Sequence, residues 1–317
     1  MEGVLMGFGV VLILIIVGLI ARLALPRQVS RTMQDGLSPT IYYVTNPVLM
    51  VVLLAETDLR QVIGIYVPIA LVSALVAAAV YFLLSRFVLR RRLIDALPAS
   101  MASAYANAGN IGLPIALFSV SSAVPAISVL VTQLLVIAPL FLTLFALATS
   151  HAQRRDGEER ASTPKLILKS VANPVTIAAV IGAAISLTGF EVPAVLWEPL
   201  DMLGHASVPL LLMVFGMSLV GQTPFRTREI LPDVLIGLVV KLALLPVIAW
   251  LLGAYVFGLG GTELFGVVIM AALPTAQNVF LFSTQFGLPT LAVRDITFAS
   301  ALLALPSILV IGLVLAP

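Results

Sequence analysis

The chain alternates long apolar runs with short charged punctuation. A helix needs about 20 mostly apolar residues to cross a bilayer, so cutting the sequence at its charges marks the candidate spans. Gly3 to Ala21, Gly36 to Ala55 and Gln61 to Ser85 are three uncharged windows. Ala96 to Ala152 is too long for one span and breaks most naturally in the small-residue stretch from Ser119 to Pro125, giving spans four and five. Ser170 to Phe190, Met202 to Phe225, Val234 to Thr262, Leu264 to Val293 and Ile296 to Pro317 supply the sixth to tenth, with Lys241 alone interrupting the eighth. The pattern predicts ten transmembrane helices. The first window lacks a basic leading segment and is followed by its basic residues, so it reads as a span and not as a cleaved signal.

The placement of charge supports this count. Lys and Arg concentrate in cytoplasmic loops of membrane proteins. Arg22, Arg27 and Arg31 follow span one, and Arg86, Arg90, Arg91 and Arg92 follow span three. Arg154, Arg155, Arg160, Lys165 and Lys169 follow span five. Arg226 and Arg228 follow span seven, and Arg294 follows span nine. Fifteen of the 17 basic residues thus fall on one side, with Arg60 on the other and Lys241 inside a span. This predicts an integral protein of the plasma (inner) membrane with both termini outside. Arg90, Arg91 and Arg92 are expected to fix topology and to contact anionic membrane lipid. Glu191, Glu198 and Asp201 are expected in an outer segment between spans six and seven, with Trp197 as an interface anchor.

Composition agrees. The 317 residues are 61% hydrophobic and 10% charged, whereas soluble domains carry about 45–50% apolar and about 25% charged residues. That excludes a soluble enzyme, a nucleic-acid binder and a disordered chain. There is no Cys, and His151 and His205 are too few for a histidine metal cluster. No zinc-binding His-Glu-x-x-His helix, nucleophile elbow or phosphate loop is present, so no enzyme is expected.

The polar stretch 151–169 reads as a cytoplasmic linker between a first five-helix repeat, 1–150, and a second, 170–317. Five is odd, so similar halves must be inverted. Asn46-Pro47-Val48-Leu49-Met50 resembles Val208-Pro209-Leu210-Leu211-Leu212. Arg60 matches Arg228, Asn110 matches Asn278, and Ala138-Pro139-Leu140 matches Leu305-Pro306-Ser307. The expected fold is all-α and polytopic: two inverted five-helix repeats with broken, crossing helices four and nine. Secondary transporters often have this symmetry, with the substrate near the midplane.

The candidate chemistry lies where the spans are interrupted. Asn107-Ala108-Gly109-Asn110-Ile111-Gly112-Leu113-Pro114 in span four combines amides, glycines and a proline, a poor recipe for a continuous helix. Its counterpart in span nine is Ala272-Leu273-Pro274-Thr275-Ala276-Gln277-Asn278. Freed backbone groups at this depth must face protein or a watery cavity, and half-helix N-termini suit a carboxylate. A packing kink at a helix crossing is the competing explanation. Lys241 could pair with a substrate anion, with Asp233 or with Asp295, or its long stem could reach the interface. Gln133 is a candidate lining residue. His205 could titrate near neutral pH, but a packing role is the more ordinary one.

These residues resemble the auxin efflux carrier family, which includes plant auxin exporters and bacterial permeases for malonate, malate and similar acids. Residues 107–114 resemble its first signature, Pro274 to Gly287 its second, and Ser300 to Pro306 its last helix. Ser119 to Ser122 departs from the glycine-containing turn common in relatives. The resemblance implies a scaffold of spans one, two, six and seven and a mobile core of the other six, with spans four and nine crossing at their prolines. It implies an elevator transporter, dimerising through the scaffold. Asn110 and Asn278 become the foremost substrate contacts, with Asn107, Pro114, Pro274 and Gln277 beside them.

The sequence therefore leads to a secondary transporter of small organic anions, mono- or dicarboxylates such as malonate, malate or auxin-like acids. No cofactor and no nucleic-acid partner are expected, and coupling to Na+ or H+ stays open. The alternatives are a coupled transporter of another solute class on a bile-acid-symporter-like fold, or a non-transporting membrane sensor.

Overall fold

A computed structural model describes residues 2–57, 59, 62–153, 174–220, 225 and 227–315. The linker expected at 151–169 lies almost entirely outside the described residues, as does Arg60. The helices are α1 (Glu2–Ala24), α2 (Arg27–Ala55), α3 (Val62–Val88), α4 (Leu93–Ala104), α5 (108–120) and α6 (Val124–Thr149). They continue with α7 (Pro174–Thr188), α8 (Ala194–Ser218), α9 (Arg228–Val256), α10 (Gly261–Ala271), α11 (Asn278–Gln285) and α12 (Leu291–Leu315). Six of them, α2, α3, α6, α8, α9 and α12, are long and apolar enough to cross a membrane by length and composition. Leu12–Ala24 within α1, and α4, α7 and α10, are shorter apolar helices. The protein is an all-helical integral membrane protein.

Several helices begin earlier than the uncharged windows. α2 takes in Arg27, Arg31 and Asp35, α9 starts at Arg228, and α12 takes in Arg294 and Asp295. Helix hydrogen bonding does not stop at a charge that can reach water, so cutting at charges trims real first turns. In α8 the helix starts at Ala194, well before the Met202 of the uncharged window, so Trp197, Glu198 and Asp201 are helical. There the Trp197 indole donates to Glu56 Oε1 at 3.3 Å.

Proline shapes the helix interiors in a regular way. Three widened π-helical turns, Leu84–Val88, Ala116–Val120 and Leu252–Val256, close helices, and five lie before a proline: Ile41–Thr45, Val62–Tyr66, Ala108–Gly112, Gln133–Ile137 and Val240–Leu244. In those five the proline stands two residues after the turn: Pro47, Pro68, Pro114, Pro139 and Pro246. Proline cannot donate to the carbonyl four residues back, and its ring collides with that carbonyl. In all five cases that carbonyl belongs to the widened turn, which makes room for it. Not every proline needs this, since Pro306 sits in α12 without such a turn. Between α5 and α6 the chain turns through Ser121 at φ 56°. This is the left-handed conformation that glycine adopts most readily, so the departure at Ser119 to Ser122 keeps the turn and changes only its residue.

The chain divides into two compact units that interleave along the sequence. The first comprises Met1–Gly64, Gly109–Ile127 and Ala172–Gln222, which gathers α1, α2, α5, α7 and α8. In it α1 packs against α5 and the second half of α8, and the second half of α2 packs against α7 and the first half of α8. Glycines let these backbones touch. A Cβ on Gly18 would collide with the Met213 carbonyl, and one on Gly216 with the Ile15 carbonyl. Gly182 sits against Val51 in the same manner. Hydrocarbon gives no hydrophobic drive for helix association, so close packing of small residues must supply it.

The second unit comprises Ile65–Ala108, Ser128–Val171 and Thr223–Pro317. In it α4 packs on α3, α6, α9 and α12, while α10 packs on α12 and on the second half of α9. Its core includes Tyr81, Met101, Phe145 and Phe265. Of the three consecutive arginines, Arg91 reaches a buried partner. It pairs with buried Asp233 in the first turn of α9 at 2.6 Å and also donates to the Glu229 carbonyl.

Alanine at Gly18 or Gly216 should force α1 and α8 apart and lower stability by about 1–3 kcal/mol, the usual cost of overpacking. Gly9, with nothing within 4 Å of its would-be Cβ, should tolerate alanine within about 0.5 kcal/mol. Unfolding midpoints of the three variants in detergent test this.

Candidate functional site

In the second unit, two helices stop and two short extended segments cross. α4 ends at Ala104, and Tyr105 is extended at φ −83°, ψ 111°. α10 ends at Ala271, and helix resumes only at Asn278. Between these ends Ala106 and Thr275 form an isolated antiparallel bridge. The Asn107 N–H donates to the Pro274 carbonyl at 2.8 Å, and the Ala276 N–H donates to the Tyr105 carbonyl at 3.2 Å. Each broken helix thus satisfies backbone groups of the other where no water is at hand.

Thr275 locks the crossing to its surroundings. Its hydroxyl donates to the Ala102 carbonyl in α4 at 2.6 Å, and its N–H donates to Ser300 Oγ in α12 at 3.0 Å. The Ser300 hydroxyl in turn donates to the Thr297 carbonyl at 3.1 Å. Tyr105 meets Phe282 of α11 edge to face, with centroids 6.4 Å apart. Pro274 fits because its carbonyl is the group used, so its missing N–H costs nothing there.

The structure brings Asn107, Pro274 and Thr275 together. Gln277 and Asn278 follow at once at the start of α11, and both are exposed, so their amides can reach a ligand. Thr275 is buried with its hydroxyl and N–H committed to the protein, which makes it a strut of the site. The first break occurs at residues 105–107 and not at Pro114. Residues 108–112 stay helical as a widened turn, and Pro114 lies within α5. Gly109, Asn110, Gly112 and Pro114 all belong to α5, and contacts group them with the first unit. Gln133 is buried in the widened turn of α6.

Lys241 lies in the widened turn of α9 with 0% exposure. Its Nζ has no hydrogen-bond partner among the described residues. The partners that the sequence suggests are engaged elsewhere: Asp233 with Arg91 at 2.6 Å, and Asp295 with Arg294 at 2.8 Å and the Phe225 N–H at 3.0 Å. Full burial also excludes reaching the interface. His205 is exposed on α8, 3.0 Å from Asp201 one turn earlier. Among the described residues no group of three His, Asp or Glu side chains could hold a metal ion.

Sequence reasoning missed the strand Tyr105-Ala106 and the Ser300 support. The signal was present as the small-residue run Ala99, Ser100, Ala102, Ser103, Ala104 and Ala106, which permits a close backbone approach.

The family model described as membrane transport protein matches residues 5–312 of this chain. A protein of Rhizobium meliloti (strain 1021) named "Putative malonate transporter" is 26% identical over 267 residues, covering 79% of this chain and 77% of its own length.

Ser300→Ala should strand the buried Thr275 N–H and cost about 1–3 kcal/mol of stability. Ser283 is equally buried but donates only to the Val279 carbonyl of its own helix. Its alanine variant should stay within about 0.5 kcal/mol of the parent, as compared by thermal unfolding of both variants.

Proposed function

Because the chain belongs to the membrane transport protein family, that of the auxin efflux carriers and their bacterial relatives, we propose that it is a secondary transporter of small organic anions. Mono- and dicarboxylates are the substrate class, and malonate is the first probe because the Rhizobium meliloti relative carries that name. The crossing of the two interrupted helices carries this reading. It places the exposed amides of Gln277 and Asn278 at the N-terminus of α11, where backbone N–H groups and the helix dipole favour an anion. An amide can donate to a carboxylate and accept from a protonated one. In this reading Asn107, Gln277 and Asn278 contact the anion, Pro274 and Thr275 shape the backbone around it, and Gln133 lines the path; Asn110, with Gly109, Gly112 and Pro114 beside it, is the first unit's own candidate contact.

Transport proceeds by alternating access of elevator type through ten spans arranged as inverted repeats, in an inner membrane with both termini outside. The interleaved units support this, since one holds α1, α2, α7 and α8 and the other α3, α4, α6 from Ser128 onward and α9 to α12. That is the division between scaffold and core that the family resemblance implies, except that α5 groups with the scaffold. Dimerisation through the scaffold helices belongs to the same reading, and coupling to Na+ or H+ is decided by ion replacement.

In proteoliposomes, Asn278→Ala and Asn110→Ala should each reduce malonate uptake at least about tenfold, the equivalent of one lost hydrogen bond to a charged group. Unchanged uptake in both variants would place the site elsewhere.

A further inference from the structure

Lys241 is the one buried charge of the second unit that the described residues leave uncompensated. The elements packed against its turn are α3, α4, α12 and the rest of α9. Their titratable and charged groups are Tyr66, Tyr81 and Arg86 on α3, Asp95 on α4, Arg294 and Asp295 on α12, and Arg228, Glu229, Asp233 and Tyr255 on α9. Asp95 is engaged by Arg92, Asp233 by Arg91 and Asp295 by Arg294, and Glu229 is exposed in the first turn of α9, twelve residues before Lys241. An ammonium held in a low-dielectric interior without a counter-charge is strongly disfavoured. An anion from outside would supply the missing counter-charge.

The helix register shows where that anion lies. The Arg91–Asp233 pair joins the N-terminal ends of α4 and α9, and farther along Gly237 faces Ser103 and Ile296. The two helices therefore run side by side in the same direction. Lys241 is one helical turn beyond Gly237, and the extended segment beginning at Tyr105 is just beyond Ser103. The widened turn that holds Lys241 packs on α4, and neighbouring helix axes lie about 8–10 Å apart, so the charge stands roughly one helix spacing from the helix whose end opens into the crossing.

We propose that Lys241 is the specificity-determining residue that sets the charge of the transported anion at minus one. A single buried positive charge balances a single negative one, and a second negative charge would be as uncompensated as the ammonium is alone. Monocarboxylates enter as such, and a dicarboxylate enters in its half-protonated form, bringing a proton with it. The inference rests on the anion-transport reading and adds the valence of the substrate and the residue that selects it.

Malonamide, malonamate and malonate are nearly isosteric and carry zero, one and two negative charges at neutral pH, so their binding to the purified full chain reads charge alone. In a thermal-shift titration at fixed pH, malonamate should bind at least about tenfold tighter than either neighbour in the series, the effect of one charge over about 10 Å at an effective dielectric near 20. Lys241→Met should remove the preference for malonamate over malonamide, and Lys241→Arg should keep it, which a merely structural role would not produce. If Lys241→Met does not fold, the wild-type series and Lys241→Arg still decide. Tightest binding of the dianion, or a charge preference that survives Lys241→Met, overturns the inference while leaving anion transport standing. No binding of any of the three overturns both.

Discussion

Hydrocarbon offers backbone groups no water, and the candidate site exists because two interrupted helices meet that constraint in each other. The N–H of Asn107 and the carbonyl of Pro274, with the reciprocal bond from Ala276 to Tyr105, form the smallest possible sheet in an otherwise helical protein. A single broken helix would be left with unpaired groups at the same depth. Two breaks at matched positions supply donors and acceptors in complementary sets. Pairing them leaves two amide side chains at the start of a new helix, with their polar ends available.

Around this crossing the supports are ordinary but numerous. Thr275 reaches back to α4 and across to Ser300 of α12, so two segments distant in sequence fix one residue. Arg91 and Asp233 join the entry ends of α4 and α9. The first unit uses another device, in which Gly18 and Gly216 let α1 and α8 bring their backbones into contact. One unit is thus held by polar struts around an interruption, and the other by small residues at an uninterrupted crossing.

Much of this was legible in the chain. The all-helical membrane class followed from 61% hydrophobic and 10% charged residues, and both interruptions announced themselves by amides, glycine and proline where a span should be uniform. What escaped was the position of the first break. Tyr105 and Ala106 have no helix-breaking character of their own, and they are extended because Pro274 and Thr275 present a partner strand, which is a tertiary cause. Pro114 misled in the opposite sense, because a widened turn absorbs it. Helix starts were read late wherever charge occupies a first turn, as at Arg228 and Arg294. The counter-ions of Lys241 could not be chosen from sequence, because Asp233 and Asp295 were both candidates on charge alone and only packing shows both to be taken.

The regular spacing between widened turns and prolines bears on orientation. Each widened turn inserts one residue, and one residue is about 100° of an α-helix. The helix beyond Pro47, Pro68, Pro114, Pro139 or Pro246 therefore presents a different side from the one that an unbroken helical wheel assigns to it. Five prolines thus act as angular offsets, deciding which flank of each half-helix meets protein and which meets lipid. Lys241 lies in one of these offset turns, so the direction of its side chain depends on an imino acid five residues away that never touches its charge.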